Sequence, residues 1–141
     1  ADEVRAAIRL GRAVWAHNPD PDRGTMSSLR AGLAVVDAPD AVMKLVCDQP
    51  EVTSDVIDGV VGSWNPEVDL ASLVAYRDGA GHPMLIAATA LSVVVEQDGD
   101  RLLWRLVETD PERVGRFTVE GQRPIDINTE ADLELAALRL G

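Results

Sequence analysis

The residue best placed for chemistry in this chain is Asp48. It follows the apolar run AVMKLVC at residues 41–47 and stands two positions before Pro50, so a buried strand would deliver a carboxylate to a sharp turn. In open α/β sheets ligands gather beyond the carboxyl ends of the strands. A carboxylate there can hold a hard cation such as Mg²⁺ through oxygen, or it can be a plain turn aspartate. Other reactive groups are few. Cys47 is the single cysteine and can form neither an internal disulfide nor a CxxC site, so it reads as a small buried hydrophobe. His82 has no carboxylate or cysteine at metal-ligand spacing and does not read as a zinc ligand. No Ser-His-Asp spacing suggests nucleophilic catalysis. The glycine-containing stretch RDGAGHP lacks the spacing and the lysine of a phosphate loop.

Periodicity supplies the elements that must position Asp48. Val4, Ala7 and Ile8 sit at helical spacing with a stop at Gly11, and RAVWAH then reads as a short strand. After the turn-rich NPDPDRG, residues 25–36 place Leu29, Leu33 and Val36 on one helical face. AVMKLVC is the next strand. Thr53 or Ser54 can cap a helix carrying Val56, Ile57, Val60 and Val61, with Asp55 favoured in its first turn. DLASLVAYR reads as a strand, RDGAGHP as a loop and MLIAATALSVVVEQ as a helix, although its three valines would suit a strand. RLLWRLVET is helical, with Leu102, Leu103, Leu106 and Val107 on one face, and VGRFTVE is an alternating strand. Thr129, with Asp132 three positions on, starts the last helix as a capping box. Strands alternating with helices imply an α/β domain with a mostly parallel sheet and helices on both faces.

Composition narrows the function classes. At 141 residues the chain should form a single domain. Thirteen basic against twenty-four acidic residues leave a formal charge of −11, a field that repels nucleic acid and anionic membrane surfaces. No stretch has the length of a membrane span and no secretory signal opens the chain, so a cytoplasmic protein is expected. Trp15, Trp64 and Trp104 are far apart in sequence and form no aromatic run interleaved with basic residues, which suits core or edge packing better than a stacking platform.

Five short patterns stand in a recognisable order. They are NPDPDRGTMSSLRAGL, LVCDQP, GAGHPMLI, Gly99-Asp100 followed by DPERV, and DINTEADL at residues 126–133. Together they resemble the MobA-like NTP transferase family, and within it the molybdenum cofactor cytidylyltransferase branch. The resemblance implies a GT-A-like (Rossmann-like) nucleotidyltransferase fold that joins an NMP unit from CTP or GTP to the phosphate of the molybdopterin cofactor and releases pyrophosphate. It assigns Asp48 to a Mg²⁺ or Mn²⁺ site, with Asp126 and Asn128 facing the metal and the nucleotide phosphates from the opposite side. Ser28 and Arg30 would lie near the nucleotide, Arg30 with a catalytic role. Gly81, His82, Pro83 and Asp100 would border the acceptor substrate. Implied partners are the two small-molecule substrates, with a molybdoenzyme or its chaperone beyond them.

One family motif is missing. The glycine-rich "LAAGxSxRxGxxK" loop that holds the triphosphate occurs nowhere in these residues. The expectation is therefore a single domain over 1–141 lacking its first βαβ part, which an opening segment outside these residues or a companion chain would supply. The alternative is a non-catalytic, metal- or cofactor-binding accessory domain derived from the same fold.

Overall fold

The computed structural model describes residues 2–95 and 102–141. Its centre is β2 (Ala71–Tyr76), which folds back through the Arg77-Asp78 turn into β3 (Gly79–Ala87). The other face-forming strands are β1 (Ala41–Lys44) and β4 (Val114–Thr118), and the sheet order is β1-β3-β2-β4. β3 pairs antiparallel with both β1 and β2, while β2 and β4 pair in parallel. Three of the four strands thus share one direction, with β3 reversed between β1 and β2.

The reversal comes from a hairpin hidden by ordinary loop residues. Gly79, Ala80, Gly81 and Pro83 suggested a loop, and the apolar MLIA that follows suggested a helix. Short continuous apolar runs do not distinguish strand from buried helix, and here both faces of the strand are covered. Met84 to Ala87 are buried strand, and the predicted helix begins only at α4 (Ala88–Val95). The predicted strand RAVWAH is also absent: these residues form no ladder, and Val14 and Trp15 are exposed. Trp15 lies against the Arg5 guanidinium, 5.7 Å from its ring centroid.

Helices pack on both faces, as alternation along a strand demands. On one face Leu73, Met84 and Ile86 meet Met26 of α2 (Thr25–Leu33), Ala90 and Leu91 of α4, and Val107 of α5 (Leu102–Thr109). On the other, Val74, Tyr76 and Leu85 meet Val60 of α3 (Ser54–Gly62). Trp104 and Trp64 pack at the edges of these two cores. Two close approaches fix the second layer. A side chain at Gly59 would strike the Phe117 ring, and one at Gly115 would strike the Ser63 carbonyl.

The remaining helices are α1 (Asp2–Ala7) and α6 (Glu130–Leu140). Thr129 and Asp132 form the expected capping box: Asp132 N donates to Thr129 Oγ1 at 3.2 Å and Thr129 N to Asp132 Oδ2 at 2.8 Å. Thr53 occupies the N-cap of α3 without a side-chain bond to the helix. Among the described residues no helix is long and apolar enough to cross a membrane.

Candidate active site

The turn after β1 has a second segment laced onto it. Ile127 N donates to the Asp48 carbonyl at 3.0 Å, Gln49 Nε2 to Asp126 Oδ1 at 2.6 Å and Ile125 N to Glu51 Oε2 at 2.8 Å. The same segment is tied to the hairpin turn, where Arg123 donates from its backbone N and its Nε to the Asp78 carboxylate at 2.8 and 3.2 Å. These bonds hold the Asp78 carboxyl below the usual carboxylate range, the Arg123 amide first among the causes. A segment with no regular structure is thereby held by its backbone amides, which accounts for Asp126 standing beside Asp48 across more than seventy residues of sequence.

The result is a cleft of about 590 Å³ lined by Asp48, Gln49, Gly81, His82, Trp104 and Asp126, with Asn128, Asp78 and Arg123 at its walls. A second, apolar groove of about 510 Å³ runs between α2 and β1, and Asp48 lines both. Asn128 Nδ2 bonds the Asp126 carbonyl at 3.3 Å, and its backbone N donates to Asp132, so the final capping box also orients this end of the cleft.

His82 enters through a break in the ladder. Leu73 pairs with Met84 and the next residue, Val74, with Gly81, so His82 and Pro83 have no partner on β2. A proline, with no N–H to give, suits such a bulge. The His82 carbonyl accepts from Tyr76 OH at 2.9 Å, and the imidazole meets the Trp104 ring edge-on at 5.8 Å. Its Nε2 is 3.3 Å from Lys44 Nζ. Burial, and then the Lys44 charge, push the His82 pKa down to about 4, with Asp126 and Asp48 partly opposing. The ring is neutral near pH 7.

Five of the residues singled out from sequence therefore share one cleft: Asp48, Gly81, His82, Asp126 and Asn128. The others divide. Ser28 lines the apolar groove and accepts from Asn18 Nδ2 at 3.0 Å, whereas Arg30, half-buried on α2, lines neither cavity. Pro83 is fully buried and forms no part of the cleft wall. The close approach that Gly81 permits is to the Tyr76 ring, 2.9 Å from where a Cβ would stand. Asp100, with Gly99, lies outside the described residues. Cys47 is exposed at the rim of the groove rather than buried, because the strand ends at Lys44 and the run that follows it leaves the sheet. Gln49, Lys44 and Trp104 were not singled out for the site. Gln49 stood inside the DQP pattern, but nothing in the sequence links Lys44 to His82, since the contact depends on strand pairing.

The donor set suits a hard cation. Asp48 and Asp126 offer carboxylates and Asn128 a carboxamide, all oxygen, and no group of three carboxylate, imidazole or thiol side chains at ligand spacing occurs among the described residues. A divalent ion held here would complete its shell with water and substrate phosphate, the habit of Mg²⁺.

An α/β sheet with a polar cleft just past a strand end has the place where such folds gather their ligands. Residues 1–114 match the model of the MobA-like NTP transferase domain, and the chain belongs to that family of nucleotidyltransferases. The match includes Asp48, Gly81 and His82 and stops before Asp126. Rv0371c from Mycobacterium tuberculosis H37Rv, in a structure complexed with manganese, is 28% identical with a TM-score of 0.78, covering 96% of this chain and 72% of that one. A homologue of Rv0371c from Mycobacterium sp. strain JC1 is 24% identical with a TM-score of 0.75, covering 99% and 72%. A further Rv0371c structure gives 23%, 0.72, 96% and 69%. No curated protein matches the chain.

Proposed function

We propose that this chain, acting as one domain over residues 1–141, carries the metal- and acceptor-binding side of a Mg²⁺- or Mn²⁺-dependent nucleotidyltransferase. In this reading it transfers CMP, in preference to GMP, from the nucleoside triphosphate to the terminal phosphate of the molybdopterin cofactor in the cytoplasm. The observation that carries the proposal is the convergence of Asp48 and Asp126 on one cleft with His82. The manganese of the Rv0371c complex supports a divalent ion in this fold, and the DQP pattern leans toward the cytidylyl branch.

The reaction needs little from side chains beyond position and charge. An oxygen of the acceptor phosphate attacks the α-phosphorus, a new P–O bond forms, the bond to the bridging oxygen breaks, and pyrophosphate leaves with the electron pair. A bound divalent cation supplies neutralisation of the phosphate charge. Asp48 and Asp126 would hold that cation, and Gln49 engages one of the two carboxylate oxygens of Asp126. Neutral His82 can donate a hydrogen bond to the acceptor without adding a charge.

Calorimetry with Mn²⁺ and a pyrophosphate-release assay with CTP or GTP and molybdopterin test this. Asp48→Asn should weaken Mn²⁺ binding by at least about tenfold while leaving the thermal midpoint unchanged, since the loss is of a ligand rather than of packing. Unchanged Mn²⁺ affinity would overturn the assignment. Mn²⁺ binding without pyrophosphate release under any substrate would favour the non-catalytic accessory reading.

A further inference from the structure

Two buried side-chain polar atoms among the described residues lack a hydrogen-bond partner, Gln49 Oε1 and His82 Nδ1, and both belong to residues lining the same cleft. Buried polar groups are nearly always satisfied, so such a pair calls for a cause.

Their hydrogen-bonding sense is fixed by their other partners. A carboxylate only accepts, so the Gln49 atom 2.6 Å from Asp126 Oδ1 is the amide nitrogen, and the unsatisfied atom is the carbonyl oxygen, an acceptor. An ammonium only donates, so His82 Nε2 accepts from Lys44 and the single proton of the neutral ring sits on Nδ1, a donor. Lys44 is the only lysine in the chain. Asp126 connects the two sites, bonding Gln49 directly and lying close enough to His82 to act on its ionisation. Each unsatisfied atom is carried on a terminal sp³–sp² torsion whose broad minimum lets the carboxamide or the imidazole adjust when a ligand enters the cleft. Trp104 adds a flat apolar wall beside the imidazole.

We propose that Gln49 and His82 form a two-point reader for a planar nitrogen heterocycle, the Gln49 carbonyl accepting from a ring N–H or amino group and His82 Nδ1–H donating to a ring oxygen or nitrogen. The edge required is an amide or amidine edge, with one acceptor and one donor. Pterins and nucleobases both carry it, so two sources share this chemistry. Lys44 is a positioning residue, fixing the tautomer of His82. The inference rests on the cleft being the substrate site proposed above.

The test uses the whole chain and calorimetry with phosphate-free ligands: pterin, cytidine and guanosine. Binding of pterin alone assigns the reader to the acceptor, and binding of cytidine or guanosine alone assigns it to the nucleotide. Gln49→Met and His82→Gln should each weaken the bound ligand about tenfold, one neutral hydrogen bond each. His82→Asn should keep most of the affinity, because its amide N–H takes the place of Nδ1–H while the Gln amide takes the place of Nε2. On the wild type, an analogue of the bound ring methylated to remove its donor N–H should also lose about tenfold, a readout independent of whether the variants fold. The reader is overturned if no ring ligand binds, if methylation has no effect, or if Asn and Gln at position 82 behave alike. Mn²⁺ alone, measured in parallel on the wild type and on Asp48→Asn, separates the two readings. Mn²⁺ binding that Asp48→Asn weakens, without ring binding, sinks the reader and leaves the proposed metal site standing, whereas Mn²⁺ affinity unchanged by Asp48→Asn sinks the proposed function and with it the substrate site on which the reader rests.

Discussion

Between pH 6.5 and 4 the unfolded chain takes up a proton at residue 82 that the folded chain refuses. The folded pKa lies at about 4 against 6.5, because burial removes water from the imidazolium and Lys44 approaches Nε2, while Asp126 and Asp48 compensate only in part. The unfolded state therefore binds more protons across this window, and stability falls as the pH falls from 6.5 toward 4. For a fully buried ring the loss would be about 2 kcal/mol at pH 5, rising to about 3.4 kcal/mol below pH 4. His82 is only half-buried, so solvent screening reduces the loss to about 1 kcal/mol at pH 5. His82→Gln removes the titration while keeping a carboxamide near the Lys44 ammonium. Urea unfolding at pH 7.5 and pH 5, with EDTA present so that metal loss plays no part, should show the wild type losing about 1 kcal/mol more than the variant. Equal losses in the two proteins would refute the argument, because the acidic residues common to both would then account for the whole pH response.

Two further outcomes follow from packing and capping. Gly115→Ala should destabilise by about 2 kcal/mol in urea unfolding, because the new methyl meets backbone and bonded groups that have no room to retreat: the Ser63 carbonyl, Ser72 Oγ at 2.9 Å and Asp69 Oδ2 at 3.1 Å. Gly121→Ala, where the nearest atom is a flexible Val119 methyl at 3.8 Å, is the control and should be near neutral. Asp132→Ala should cost about 1 kcal/mol by removing the reciprocal cap with Thr129. Because Asn128 N also donates to Asp132, the same variant should weaken Mn²⁺ binding, whereas a capping effect alone would leave that affinity intact.

What sequence reasoning recovers here depends on how far apart the cooperating residues lie. The helices α2, α3 and α6 and the strands β1, β2 and β4 follow from local periodicity and caps, and Asp48 follows from β1 ending in a proline turn. The β2–β3 hairpin does not. Its residues carry the composition of a loop, and its identity as strand depends on β1 and β2 pairing with it from either side, a tertiary condition that overrides propensity. RAVWAH is the converse case. Its composition suits a strand, yet no ladder receives it, and its backbone stays irregular.

The same logic governs the site. Asp126 reaches Asp48 because Ile125 and Ile127 lend backbone amides to Glu51 and Asp48, and any residue type other than proline supplies an amide. Such lacing leaves no mark in residue type, which explains why the pair was visible only through resemblance to a family and not through spacing. His82 depends on one step more. A bulge removes it from the ladder, Tyr76 holds its carbonyl, and Lys44 sets its tautomer from across β1. Position in the cleft and protonation are thus fixed by different elements, the hairpin for the first and the β1–β3 pairing for the second. A substitution at Lys44 should therefore change which nitrogen of His82 donates without moving the ring out of the cleft, so ligand selectivity would shift while Mn²⁺ affinity, which the proposed function rests on Asp48, would stay in place.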